Sequence, residues 1–134
     1  MDELLHDSVR ARAGHSCEYC RFPDRFAELP FHVDHIIARQ HGGTTVSENL
    51  AWSCCYCNRY KGPNLSGIDP LTGTVVELFH PRRMKWPEHF EWSGPELNGK
   101  TAAARATIAT LHINQSDALA VRGLLMDAGH FASD

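Results

Sequence analysis

Four of the five cysteines occur as two pairs, Cys17/Cys20 and Cys54/Cys57, with two residues between the members of each pair. This spacing lets one tight turn present two thiolates to a tetrahedral ion, and two such turns complete a set of four ligands. The sequence therefore predicts a closed structural zinc site, with no open position for chemistry. The alternative is a group of reduced, buried thiols. The fifth cysteine, Cys55, is expected to be a small buried residue, with a substitute zinc ligand as the alternative.

A carboxylate and an imidazole are adjacent between the two cysteine pairs, at Asp34 and His35. Asp34 is a hard oxygen ligand, and an unperturbed His titrates near pH ~6.5, so His35 could accept a proton at neutral pH. Neighbours on a regular strand point to opposite faces, so the two side chains converge only if the strand ends or bends there. Asn58 could bring a second oxygen across, which would make a plausible magnesium site. The alternative is a surface strand pair bonded to a loop.

Short elements must position these residues. The sequence predicts a helix over residues 3–13, a strand over 31–37, a turn at Gly42-Gly43, a returning strand over 49–53, and a helix from the second cysteine pair to Gly62-Pro63. Beyond it we expect an irregular loop over 64–73, strands over 74–79 and 89–92, and two helices, capped by Thr101 and Ser116, that end near Leu111 and Ala128. The expected apolar stripe of this helical pair is Ile108, Leu111, Leu119, Leu124 and Leu125.

The length and composition fit one globular domain. The chain has 134 residues, 43% hydrophobic and 22% charged, and a net charge of −3, which does not indicate a strong nonspecific binder of nucleic acid. No apolar run approaches the roughly 20 residues that a bilayer span needs. The N-terminal residues are too charged for a signal-peptide core, so we expect a cytoplasmic protein and no membrane. In that compartment cysteines indicate metal binding before disulfides.

Residues 31–62 resemble the ββα-metal motif of the HNH endonuclease family. The matching motifs are Asp34-His35-Ile36, Gly42-Gly43, Asn49-Leu50 and the Cys-x-x-Cys-Asn-x-x-Lys stretch from Cys54 to Lys61. With the Cys17/Cys20 pair added, the chain is similar to the zinc-containing branch, and its remainder looks like small bacterial HNH proteins. The third letter of the motif is Asn58 here rather than His, a variant similar to the HNH domain of CRISPR effector nucleases. This variant changes the metal ligand.

The resemblance implies an α+β fold, with a treble-clef-like ββα-metal core over about 15–63 and a C-terminal helical extension over about 64–134. We expect a single HNH endonuclease domain over residues 1–134. His35 would be the general base, and Asp34 and Asn58 would hold Mg²⁺ or Mn²⁺. Asn49 would fasten the hairpin and help to orient His35. The candidate nucleic-acid-binding residues are Arg59, Lys61, Arg39 and His32.

The function that follows from the resemblance is metal-dependent hydrolysis of DNA, leaving a 3′-hydroxyl and a 5′-phosphate. One alternative is a treble-clef module that binds nucleic acid or protein without cutting; it needs the four cysteines but not Asp34, His35 and Asn58 together. Another is a zinc-stabilised structural subunit whose partner face is the helical tail, residues 101–128. The C-terminal helices could also pair across a two-fold axis as a homodimer.

Overall fold

A computed structural model describes residues 1–131 and divides the chain into two compact units. The first unit is Met1–Leu65 with His80–Arg83, and the second is Ser66–Phe79 with the described residues from Met84 onward. Each unit combines helices with small antiparallel sheets, which confirms the α+β class. The expectation of one domain over residues 1–134 stays a prediction, and its last part, 132–134, lies outside the described residues.

The first unit has two helices and one hairpin in the predicted order. Its elements are α1 (Glu3–Arg12), β1 (His32–His35), β2 (Leu50–Ser53) and α2 (Cys55–Lys61), with single-turn 3-10 helices at Asp24–Phe26, Arg39–His41 and Ser47–Asn49. The two strands are antiparallel, with Asp34 opposite Ala51 and His35 opposite Leu50. The strand, returning strand and helix β1-β2-α2 form the expected ββα arrangement.

Local interactions set the ends of these elements. The Asp2 carboxylate accepts a hydrogen bond from the Leu4 N–H at 2.8 Å and so begins α1. At the start of α2, the Cys54 Sγ accepts from the Cys57 N–H at 3.3 Å. Gly62 follows the helix with a φ of +50°, a conformation that glycine adopts at little cost. These ends lie within a few residues of the predicted ones.

The second unit consists of two hairpins and three helices. Its elements are β3 (Ser66–Ile68), β4 (Val75–Glu77), α3 (Trp86–His89), β5 (Phe90–Ser93), β6 (Glu96–Gly99), α4 (Ala102–Thr110) and α5 (Ser116–Asp127). Its buried apolar residues include Phe79, Trp86, Phe90, Leu97 and Leu111. Thr101 caps α4 as predicted, since its hydroxyl accepts from the Ala104 N–H at 3.2 Å. Within residues 1–131, none of the helices combines the length and the apolar character that crossing a bilayer requires.

Two strands of the second unit escaped the sequence analysis. The expected loop over 64–73 contains β3, although Ser and Gly are poor strand formers. A Cβ on Gly67 would lie 2.3 Å from the Thr110 hydroxyl oxygen, so close approach to α4 explains this glycine. The strand β6 has no alternating pattern, and pairing with β5 places it, as Leu97 opposite Trp92 shows.

The expected apolar stripe on the last helix was wrong at Leu124, whereas Leu119 and Leu125 are half-buried. Leu124 is 71% exposed, and the buried residue of α5 is Arg122. Its guanidinium donates to the carbonyls of Pro95 and Ile113 and to the Asn114 Oδ1 at 2.9–3.0 Å. These acceptors satisfy the buried charge, which explains why an arginine takes the place expected for leucine. The helix also begins one residue earlier than expected, at Ser116.

Candidate functional site

The four paired cysteines form one buried cluster. Their Sγ atoms all lie within 4.8 Å of one another, and Cys20 Sγ and Cys54 Sγ are 3.8 Å apart. A tetrahedral zinc with Zn–S bonds of about 2.3 Å places its sulfurs about 3.8 Å apart, whereas a disulfide needs about 2.05 Å. The cluster is therefore placed to hold a metal ion, and its donor set fits structural zinc. Cys55 is half-buried and lies outside the cluster.

The four thiols of the cluster do not share one pKa. Burial opposes ionisation of the Cys17 thiol, but hydrogen bonds from Cys20, Cys54 and Cys57 hold the pKa of Cys17 well below its usual range. The backbone N–H of Cys20 adds a contact to the Cys17 Sγ at 3.5 Å. Hydrogen bonds with Cys17 and Cys20 raise the pKa of Cys54 and Cys57. A thiolate is the form that binds a metal, so Cys17 is the thiol of these three that is prepared for a cation.

The loop between Cys17 and Cys20 also fastens the first cysteine pair to β2. The Glu18 N–H donates to the Trp52 carbonyl at 2.8 Å, and the Glu18 carboxylate accepts from the Trp52 N–H at 2.7 Å. The same carboxylate forms an ion pair with Arg82. This buried acid holds the first cysteine turn beside the hairpin. The sequence analysis did not single out Glu18, although a charged residue between two paired cysteines was a visible signal in the sequence.

Asp34 is a buried carboxylate with two protein partners. It is 5% exposed, its Oδ2 accepts from the Tyr19 hydroxyl at 2.7 Å, and the Lys61 Nζ lies 3.1 Å from Oδ2 and 3.3 Å from Oδ1. Burial raises the pKa of Asp34, and the Lys61 charge and the Tyr19 hydrogen bond oppose that rise. For Tyr19, burial and then the Asp34 charge raise the pKa well above its usual range, so its hydroxyl remains a donor.

His35 ends the strand and is half-buried. Its Nε2 makes a hydrogen bond of 2.8 Å with the hydroxyl of Thr45, a residue that the sequence analysis did not single out. This contact engages one of the two ring nitrogens, Nε2. Nothing local in the sequence pairs His35 with Thr45, since the loop between them sets that contact.

Asn49 fastens the loop that follows β1. Its Oδ1 accepts from the Ile37 N–H at 2.9 Å, and its Nδ2 donates to the carbonyls of Ile37 at 3.0 Å and Thr44 at 2.9 Å. Gly43 lies directly against this contact, because a Cβ there would meet the Ile37 carbonyl oxygen at 1.7 Å. Gly43 is therefore required for a steric reason, because it lies too close to the backbone of Ile37 for a side chain to fit.

An open cleft of about 260 Å³ brings together the residues expected to bind an ion and to act as a base. It is lined by Val33, Asp34, His35, Ala38, Arg39, Asn58, Gly62 and Pro63. Asp34 and His35 both reach it because the strand ends at His35. A carboxylate and an amide oxygen are the hard ligands that Mg²⁺ and Mn²⁺ prefer. The donor set of the cleft therefore fits a divalent ion.

The four candidate nucleic-acid-binding residues differ in their surroundings. Arg39 is exposed and lines the cleft, and Arg59 is exposed on α2. His32 is exposed but does not line the cleft. Lys61 is 2% exposed and contacts Asp34, so in this structure its ammonium is not presented to a phosphate.

Comparison with known proteins yields one match. Residues 17–64 match a family model described as HNH endonuclease, a segment that runs from the first cysteine pair through β1, β2 and α2. The match covers less than half of the chain and confirms the resemblance for that segment. It supports a nuclease-type function with nucleic acid as the class of substrate. No curated protein and no solved structure matches the chain.

Proposed function

We propose that this protein is a metal-dependent endonuclease that hydrolyses phosphodiester bonds of DNA. The observation that carries the proposal is the cleft itself, because Asp34, His35 and Asn58 line the same surface. A module that only binds has no need of a carboxylate, an imidazole and an amide at one place. The same proposal assigns a structural zinc to the four-cysteine cluster, whose two pairs precede and follow the hairpin along the chain.

In this proposal His35 is the general base. Its Nδ1 takes a proton from a water molecule while the water oxygen attacks phosphorus, the bond to the 3′ oxygen breaks, and the leaving oxygen gains a proton from solvent. The products are a 3′-hydroxyl and a 5′-phosphate. Asp34 and Asn58 would hold Mg²⁺ or Mn²⁺, which supplies charge stabilisation at the scissile phosphate. Thr45 holds the imidazole through Nε2, and Asn49 fixes the loop behind it.

Cleavage of supercoiled plasmid tests this proposal. The zinc-loaded protein is incubated with plasmid in magnesium, in manganese and without added divalent ion, and nicked and linear products are measured. We expect cleavage with either ion and none without one. Loss of the base in His35→Ala should lower the rate by about 10²–10⁴-fold. His130→Ala is the control, since His130 is exposed and does not line the cleft.

The outcomes also separate the alternatives. DNA binding without cleavage, in every metal, would favour the non-catalytic treble-clef module. No binding and no cleavage would favour a structural subunit. Cleavage by His35→Ala at the wild-type rate would remove His35 from the mechanism.

A further inference from the structure

The Asp34 carboxylate is fixed by buried partners from two different elements. Tyr19 comes from the loop between the first two cysteines, and Lys61 is the last residue of α2. Tyr19 is 1% exposed and Lys61 is 2% exposed. With contacts of 2.7 Å from Tyr19 and 3.1 Å from Lys61, the carboxylate has little freedom to rotate.

The Lys61 side chain is buried in this structure, and its ammonium contacts groups inside the protein. Besides Asp34, its ammonium donates to the His35 carbonyl at 3.2 Å, so it ties together the two adjacent residues of the cleft. Its side chain is 3% exposed and does not line the cleft. Arg59, on the same helix, is exposed and could meet a phosphate without disturbing a buried contact.

We propose that Tyr19 and Lys61 are positioning residues that orient Asp34 toward a divalent ion, and that Lys61 is not a phosphate contact. This inference rests on the proposed function and replaces the role predicted for Lys61. An ionised carboxylate offers about four acceptor sites, and the two partners use three of them, which leaves about one site for an ion from the cleft. Loss of a partner that orients a metal ligand typically weakens metal affinity by about 10–100-fold.

The inference also links the two metal sites through one side chain. Tyr19 lies between Cys17 and Cys20, so the turn that presents two thiolates also places the hydroxyl against Asp34. The cysteine cluster then has a second consequence besides fold stability, since it sets the position of a donor at the cleft. Tyr19→Phe removes only that hydroxyl and keeps the buried ring.

The first measurement is Mn²⁺ affinity, followed by the electron paramagnetic resonance of free Mn²⁺, on the zinc-loaded full chain without DNA. We expect Lys61→Gln to bind Mn²⁺ about 10–100-fold more weakly and Tyr19→Phe about tenfold more weakly. Lys61→Arg should recover part of the affinity because it restores a cation. Arg59→Gln is the matched control on the same helix and should bind as the wild type does.

The second measurement separates a positioning residue from a phosphate contact. Binding of duplex DNA by the zinc-loaded protein is followed by fluorescence anisotropy, without added divalent ion, at several salt concentrations. Removal of one phosphate contact lowers the slope of log affinity against log salt by about 1. We expect that change for Arg59→Gln and an unchanged slope for Lys61→Gln.

Specific results would overturn the inference. If Lys61→Gln binds Mn²⁺ as tightly as the wild type or more tightly, Lys61 is a cation that competes with the metal rather than a positioning residue. If Lys61→Gln lowers the salt slope of DNA binding by about 1, Lys61 is a phosphate contact. If Lys61→Gln does not fold, the Mn²⁺ affinities of Lys61→Arg and Tyr19→Phe test the inference. Wild-type Mn²⁺ affinity in both variants would overturn it. A wild type that neither binds Mn²⁺ nor cuts plasmid overturns the proposed function as well. A wild type that does both, beside unaffected variants, overturns this inference alone.

Discussion

Asn49 holds both the N–H and the carbonyl of Ile37, at 2.9 and 3.0 Å. Its amide group also donates to the Thr44 carbonyl at 2.9 Å. Ile37 lies two residues after His35, and Thr44 lies directly before Thr45. One side chain therefore fixes the backbone on both sides of the hydrogen bond between His35 and Thr45.

Loss of this contact should affect both stability and rate. In Asn49→Ala, partly buried backbone groups lose their partners, and we expect a loss of about 1 kcal/mol in the free energy of unfolding. Plasmid cleavage should slow because the His35 imidazole is less well held, but Mn²⁺ affinity should change little. Urea unfolding, initial cleavage rates and Mn²⁺ titration check these outcomes, with the exposed Asn64→Ala as the control. Wild-type cleavage by Asn49→Ala would contradict the orienting role.

Thr45 should matter through its hydroxyl alone. Thr45→Val keeps the shape of the side chain but removes the contact with His35 Nε2, and we expect cleavage to fall by about tenfold, by analogy with other groups that orient a functional side chain. Thr45→Ser should restore the rate. The neighbouring Thr44→Val is the control, since Thr44 contacts Asn49 through its backbone carbonyl. A Thr45→Ser variant as slow as Thr45→Val would point to packing rather than to the hydrogen bond.

The cysteine cluster should carry one zinc per chain. Structural zinc sites contribute about 10–16 kcal/mol of apparent binding energy to folding, so Cys17→Ser should lose the metal and most of its fold. Cys55→Ser is the matched control, because Cys55 lies beside the second pair but outside the cluster. Metal analysis and circular dichroism check both variants. Folded, monodisperse wild type without zinc would exclude the assignment.

Asn58 should set the preference among catalytic ions. Asn58→Ala removes one of the two proposed ligand oxygens, and we expect cleavage to be lost with every metal. Asn58→His offers a nitrogen, so measurable activity should remain, with a preference moved from magnesium toward manganese, cobalt or nickel. Initial rates across these ions provide the comparison. If Asn58→Ala cleaves like the wild type in magnesium, Asn58 is not a ligand.

Acid should weaken the second unit through Asp69. Arg105 makes two hydrogen bonds of 2.9 Å to the Asp69 carboxylate and holds the pKa of Asp69 well below its usual range. Because the folded pKa is depressed, this stabilisation is present above the unfolded pKa of about 3.9 and is lost as the pH falls toward the folded value. We expect Asp69→Asn to be less stable than the wild type at pH 7, with a gap that narrows below about pH 4.

Urea unfolding of both proteins from pH 7 to pH 3 measures this gap in the free energy of unfolding. The contribution of the zinc site is common to both and cancels in the difference. Asp117→Asn, at an exposed position of α5, is the control and should show a small gap throughout. A gap for Asp69→Asn that stays constant with pH would contradict the ionic explanation.

The sequence by itself determined the parts that depend on short spacings. A spacing of two residues between cysteines lets one turn present both thiolates to the same ion. The Cys17/Cys20 and Cys54/Cys57 pairs therefore predicted a metal cluster. The sequence also placed Asp34 and His35 next to each other, but the predicted strand ran to residue 37, and only the structure ends it at His35. The segment that matches the HNH endonuclease model contains all of these patterns.

Only the tertiary structure decided what surrounds these groups. Tyr19 precedes Asp34 by 15 residues and Lys61 follows it by 27, and no periodicity links such positions. The sequence therefore predicted that Lys61 contacts nucleic acid at the surface. In the structure, the packing of α2 against β1 buries its ammonium against Asp34. Burial of a charge is stable only when a partner from elsewhere in the chain satisfies it, and that partner exists only once the fold has formed.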